Sequence, residues 1–287
     1  MNHPIRFISI VLFLMLAAVG SVWSADAGDS EACASCHEEL AAKMAATAHG
    51  LTQRGAPGCQ SCHENGAAHM DAGGDPAQIT KPAGAKGEAA CLSCHAAVQN
   101  RTLPSGAAHP AAAIRCFDCH SVHGAKAADR AMLKAQPSDL CLTCHADQKA
   151  AFARPYGHNL KNGGVGCVSC HDPHAGKGVK SLKLDHAGQG PCVTCHAEKR
   201  GPFVFPHVGD TAGSCMSCHE PHGSVKPSAL TRTRVDQLCL ECHSPLTGGT
   251  LGSQPPSIHD LRSPRYRECT VCHVAIHGSN TSTLFLK

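Results

Sequence analysis

Apolar positions in this 287-residue chain gather into one long run, Phe7 to Gly20, and no second run of that kind follows. A basic stretch ending at Arg6 precedes it, and small residues from Ser21 to Ala25 follow, the layout of a secretory signal peptide cut after Ser24 or Ala25. The run is short of the roughly 20 residues that cross a bilayer, and polar Asp26 to Glu31 come at once, which argues against an uncleaved anchor. Downstream, almost nothing alternates with the period of a strand. The Ala-rich stretches Ser30–Ala48 and Ser138–Ala153 carry cap and stop signals and predict helices, with Gly87–Asn100 as a third. Gly and Pro punctuate 71–86 and 248–264. The pattern predicts a mostly irregular chain with short α-helices and little or no β-structure.

Cysteine changes this picture. All 20 cysteines fall into ten Cys-x-x-Cys-His motifs. The first five are Cys33, Cys36 and His37; Cys59, Cys62 and His63; Cys91, Cys94 and His95; Cys116, Cys119 and His120; and Cys141, Cys144 and His145. The last five are Cys167, Cys170 and His171; Cys192, Cys195 and His196; Cys215, Cys218 and His219; Cys239, Cys242 and His243; and Cys269, Cys272 and His273. A zinc ribbon, a dithiol site or a disulfide framework needs no histidine directly after the second cysteine. Attachment of haem c does, because two thiols take the two vinyl groups and the next residue reaches the iron. Ten covalently attached haems are therefore expected.

Removing residues 1–25 as leader, His3 included, leaves about 262 residues, or about 26 per haem, too few for a conventional core around each. Aromatic residues are 3% of the chain. The macrocycles themselves are expected to be the core, with residues 26–287 wrapped around them as one decahaem domain that does not fold without haem. The formal charge of +3 falls to +2 with loss of Arg6, and about −1 per ferric bis-histidine haem brings the oxidised holoprotein near −8. A basic nucleic-acid footprint is absent, and nucleic acid is not an expected partner.

Eleven histidines lie outside the motifs and leader, and ten of them are periodic. Five two-haem modules, at about 26–75, 76–130, 131–180, 181–230 and 231–287, each hold one histidine shortly before the second motif: His49, His109, His158, His207 and His259. Each holds another shortly after it: His69, His123, His174, His222 and His277. Ten spare histidines match ten sixth positions, so bis-histidine ligation is expected and His186 falls outside the scheme. In Cys-x-x-Cys-His-x-x-His, two residues cannot carry His123 round the ring edge from His120. His123, and likewise His174, His222 and His277, is expected to serve a neighbouring iron.

The runs CVSCHDPHAGKG, CHAEKRGP, CMSCHEPHGSV, LCLECHS and CTVCHVAIHGSN resemble the decahaem cytochromes of the MtrA, MtoA, DmsE and PioA type. The resemblance covers essentially the whole mature chain and is most specific from Cys167 onward. It implies thioether roles for the 20 cysteines and axial roles for the ten motif histidines and for nine spare ones. His259 is the exception, its Gly/Pro-rich module matching no single pattern of that family. It further implies an elongated wire of stacked haems threaded into an outer-membrane β-barrel porin, carrying electrons between periplasm and cell exterior for extracellular metal reduction or Fe(II) oxidation. Partners implied are that porin, a periplasmic or inner-membrane cytochrome, and an extracellular multihaem cytochrome as a further candidate.

Two other functions compete. A soluble periplasmic shuttle to a terminal reductase would want the same six-coordinate haems. A multihaem redox enzyme would need an iron with an open position, whereas the histidines suffice to fill every one. Ten haems outreach the roughly 40 to 45 Å of bilayer and headgroups, which favours a conduit over a shuttle. The basic residues Arg262, Arg265 and Arg267 read as a solvated face.

Overall fold

The computed structural model describes residues 27–50, 57–96, 109, 112–124, 131–160, 164–174, 178–184, 190–207, 215–243 and 263–286. The expected leader, His186, His259 and Arg262 lie outside these. The helices are short: α1 Ala27–Ala34, α2 Glu38–Ala45, α3 Gly66–Asp71, α4 Gly84–Leu92, α5 Cys116–Cys119, α6 Pro137–Leu142, α7 Ala146–Phe152, α8 Cys167–Cys170, α9 Cys192–Cys195 and α10 Val235–Cys239. Among the described residues β-structure is confined to isolated bridges, and none of their helices is long and apolar enough to cross a membrane.

Two helices expected as single elements are each broken at a motif. Ser30–Ala48 becomes α1 and α2, and Ser138–Ala153 becomes α6 and α7. The breaks fall at His37 (φ −114°, ψ 42°) and His145 (φ −93°, ψ 57°). The third motif residue draws the last turn inward by donating to the carbonyl three residues back: Ser35 to Ala32 at 2.7 Å, Thr143 to Leu140 at 2.7 Å, and Ser93 to Ala90 at 2.8 Å after α4. The alanine periodicity was a sound helix signal, but a motif histidine in helical conformation would stay on the helix surface instead of turning toward a ligand.

Second motifs of the modules are built differently. At Cys116 and Cys167 they are single turns capped from within: Asp118 accepts from the Arg115 backbone N–H at 2.6 Å and Ser169 from that of Gly166 at 3.1 Å. His120 and His171 leave in extended conformation, and three motif histidines are bridged to a leucine downstream, His120 to Leu133, His171 to Leu182 and His219 to Leu230. The second and third modules thus join a helical half to a clipped, irregular half.

The chain gathers into two compact units, Met1–Ala96 with Arg115–Leu133, and Ala97–Ile114 with Lys134–Lys287. His109 belongs to the second unit, where it faces His145. No large side chain is fully buried among the described residues. Apolar side chains inside motifs, Val168, Met216 and Val271, stand exposed. Among the described residues the polypeptide alone therefore supplies no core of the usual kind.

Candidate haem-ligating sites

One backbone hydrogen bond recurs in all ten motifs: the histidine N–H donates to the carbonyl of the first cysteine at 2.9 to 3.0 Å. That turn places the two cysteines three residues apart on one face and the histidine beside them. The exposure of the 20 cysteines, expected as haem thioethers, is uneven. The second cysteine of every first motif, Cys36, Cys94, Cys144, Cys195 and Cys242, is exposed, as is Cys272, whereas each first cysteine is half-buried. Cys36 and Cys144 each have one weak donor beside them, the Ser35 and Thr143 hydroxyls, both at 3.8 Å. Those hydroxyls also bond the carbonyls of Ala32 and Leu140, so they cap the turn and leave the Cys36 and Cys144 sulfurs open to a vinyl group.

In this thiol form burial, then the neighbouring Cys116 thiol, pushes Cys91 up to about 11. Burial, then Cys269, pushes Cys239 up to about 12.

Eight motif histidines each face a histidine from another segment. In the first unit His37 faces His69, His63 faces His123 and His95 faces His49, with ring centres 6.2, 5.8 and 6.0 Å apart. In the second, His145 faces His109 at 6.2 Å, His171 faces His222 at 5.9 Å, His196 faces His158 at 6.3 Å, His219 faces His277 at 6.1 Å and His243 faces His207 at 5.7 Å. A metal bonded to both imidazoles at about 2 Å, with roughly 1 Å from each nitrogen to its ring centre, asks for about 6 Å. The pairs fit an axially ligated haem iron. Of the other candidates, His120 and His174 lie in different units, and His273 is described while His259 is not.

The pairs follow a register. His49, His109, His158 and His207 each go forward to the first motif of the next module, while His123, His222 and His277 each go back to the second motif of the previous one. The first module with the second, the third with the fourth and the fourth with the fifth exchange histidines in both directions. His69, with no earlier module to serve, turns to His37 in its own.

Electrostatics suits the incoming side chains to metal. His49, His123, His207 and His222 are held below the usual imidazole range, first by burial and next by the facing motif histidine. His277 is lowered by burial, then by Lys199 and His219. Each is kept in the neutral form that binds a metal.

Orientation comes from backbone carbonyls that sequence reading had missed. Nδ1 of His63, His120, His171, His219 and His273, one per second motif, donates to the carbonyl of Thr80, Ala131, Lys180, Ser228 and Leu284, at 3.1, 2.7, 2.9, 2.7 and 2.6 Å. In first-motif pairs the incoming histidine is the anchored one: His69 to Asp75 at 2.9 Å, His109 to Pro173 at 3.4 Å and His158 to Pro221 at 3.0 Å. Such a bond fixes the ring and leaves Nε2 for the iron. The clue was a leucine recurring 11 to 13 residues after the motif histidine at Leu133, Leu182 and Leu230.

The attachment sites are serially close within each unit. The Cys59 N–H lies 3.4 Å from Ser30 Oγ, joining the first two sites. Cys91 is hydrogen-bonded to Cys116, and Cys62 feels the charge of Cys94. In the second unit Cys167 is 3.9 Å from Ser138 Oγ on α6, Cys192 is hydrogen-bonded to Cys215 and Cys239 to Cys269, and Cys170 and Cys218 feel Cys195 and Cys242. First cysteines are thus paired inside the second, fourth and fifth modules, and second cysteines of successive modules lie within electrostatic range.

Known proteins share the sequence pattern of paired motifs. The family described as "Doubled CXXCH motif" matches residues 109–150, 158–201 and 207–248. The chain is 36% identical over 203 residues to the Multiheme cytochrome MtrA of Shewanella baltica (strain OS185). That match covers 68% of this chain and 58% of the relative, so the chain spans less than two thirds of the relative's length.

Proposed function

We propose that this chain is a multihaem c-type cytochrome of the MtrA type, an electron-transfer protein and not an enzyme, carrying ten bis-histidine haems as a wire between periplasm and cell exterior. In place, it would lie inside an outer-membrane β-barrel made by another polypeptide, reached from the periplasm after export by the residue 1–25 signal. The observation that carries the reading is serial proximity: within each unit, cysteines of consecutive attachment sites lie close enough to perturb one another. Bound haem supplies the one-electron Fe(III)/Fe(II) couple. The chain supplies order, six-coordinate geometry and fixed rings, which keep the iron's surroundings similar in both oxidation states. By sequence alone, His174 and His259 remain as candidates for the two sixth positions left over.

A loop-rich chain would cross hydrocarbon only inside a barrel, because lipid cannot satisfy exposed backbone groups. The test is co-purification from outer-membrane detergent extracts followed by reconstitution. Liposomes holding cytochrome and barrel are expected to pass electrons from an internal dye to an external oxidant, and liposomes with the barrel alone are not. Rapid reduction of a periplasmic terminal enzyme without barrel association would replace the conduit by the shuttle.

A further inference from the structure

Two segments of the second unit cross where the third module meets the fourth. Tyr156 and Ser224 exchange backbone hydrogen bonds at 3.0 and 2.6 Å. Beside that bridge Gly157 lies against Gly223 so closely that a Cβ on Gly157 would stand 2.8 Å from the Gly223 Cα. A Cβ on Gly223 would stand 2.3 Å from the Ala151 carbonyl oxygen, and its φ of +125° is one that residues with a Cβ rarely adopt. Immediately next to the two glycines are His158 and His222, which face His196 and His171. Two bonds tie the crossing together: His158 Nδ1 donates to the Pro221 carbonyl at 3.0 Å, and Arg154 Nη1 donates to that of Gly223 at 3.0 Å.

From this arrangement we propose that Gly157 and Gly223 are positioning residues that set the sixth ligands of two successive haems as one unit, His222 on the haem of Cys167 and His158 on the haem of Cys192. Neither glycine touches the cofactor. They act by letting two backbones approach until the two histidines leave a single crossing toward different irons. The design recurs one module on, where Phe205 is bridged to Ser279 between His207 and His277. There a Cβ on Gly278, at φ +139°, would stand 2.2 Å from the Phe203 ring. Ligand geometry on either side of a module boundary is thereby coupled, which the motif spacing alone does not require.

The inference rests on the bis-histidine reading, so His222→Met and His158→Met in the full-length holoprotein serve as references. Each is expected to alter one low-spin signal in low-temperature EPR and one wave in a redox titration, with covalent haem content unchanged. Gly223→Ala is expected to alter both of those signals together. Gly84→Ala, also at positive φ (+55°) but with open space around it, is expected to alter neither. Should Gly223→Ala fail to accumulate, Gly157→Ala decides by the same two signals, since its backbone is not in the left-handed region. References that change nothing defeat the ligation reading. References that each shift one iron, with glycine variants that shift only one or none, overturn the coupled crossing.

Discussion

His207 and His243 stand 36 residues apart in sequence, yet their Nε2 atoms are 3.4 Å apart and their ring planes differ by only 7°. His207 lies in the fourth module and His243 in the first motif of the fifth, so the pair shows the forward ligand exchange at its most regular. Phe285 closes the back of His207 edge-on, with ring centres 5.2 Å apart.

Replacing His207 by Ala is expected to leave ten haems covalently attached and to convert one iron of ten to high-spin. That iron is the one held by Cys239, Cys242 and His243, not the one of Cys215 and Cys218, whose motif His207 precedes. Comparison of EPR difference spectra with a His243→Met variant checks the assignment. A perturbed Cys215 haem with an intact Cys239 haem would refute it.

Asp236, 4% exposed, sits in the first turn of α10 and is bound by Arg234 through Nε and Nη2 of its guanidinium. Hydrogen bonding to Arg234 holds its carboxyl below the usual carboxylate range. The folded value is depressed, so the stabilising contribution is present above the unfolded value of about 3.9 and is lost as pH falls through the lower folded one. Acid titration should therefore loosen α10, which ends on Cys239, below about pH 4. Asp236→Asn is expected to remove that transition and to weaken the holoprotein at neutral pH, read by guanidinium unfolding at pH 3 to 7. An unchanged acid limb in the variant would count against the pair.

Much of the site was legible because it is covalent chemistry written at fixed spacing: twenty cysteines and ten adjacent histidines admit few readings. The idea that His123 must leave its own motif also followed from two intervening residues, and the rings of His123 and His63 face each other. Direction was not legible. Nothing in the spacing says that His109 goes forward to His145 while His123 goes back to His63, because both choices depend on how segments cross in space. The exposure of Cys36 and Cys144 against their half-buried partners Cys33 and Cys141 was not legible either, since it follows from the helix break at the motif. Helix boundaries were misread for a related reason, since α1 and α2 share one apolar pattern that the turn at His37 interrupts. Carbonyl anchors such as Ser228 carry no side-chain signature at all.

Left-handed conformation recurs beside those anchors at Met132, Ser181, Ala229 and Phe285, with φ of 53°, 57°, 52° and 55°. Each follows or lies next to a carbonyl that holds a motif histidine, which makes it strain kept for orientation. Ala229→Gly relieves a penalty of about 1 to 2 kcal/mol and adds an entropy cost of roughly 0.5 to 1 kcal/mol. Guanidinium unfolding should show a net gain of about 0.5 to 1 kcal/mol with the His219 haem unchanged. A clear loss of stability would mean that the left-handed residue is not strained there.

Ring-plane angles divide the pairs into two groups, and this division is testable without mutagenesis. The pairs His37 with His69, His63 with His123, His219 with His277 and His207 with His243 have planes 7° to 19° apart. Those of His49 with His95, His109 with His145 and His158 with His196 are 49° to 51° apart, and His171 with His222 is at 37°. Parallel imidazoles act on the same iron d orbital and split the pair strongly, whereas crossed ones load both orbitals more evenly. Oxidised protein is expected to show two low-spin classes in EPR, a strongly rhombic one and a more axial one. The tilted trio all use histidines sent forward from the preceding module, so His49→Met, His109→Met and His158→Met should each remove intensity from the axial class alone. Loss from the rhombic class in these variants would mean that the forward ligands do not lie as the ring planes place them.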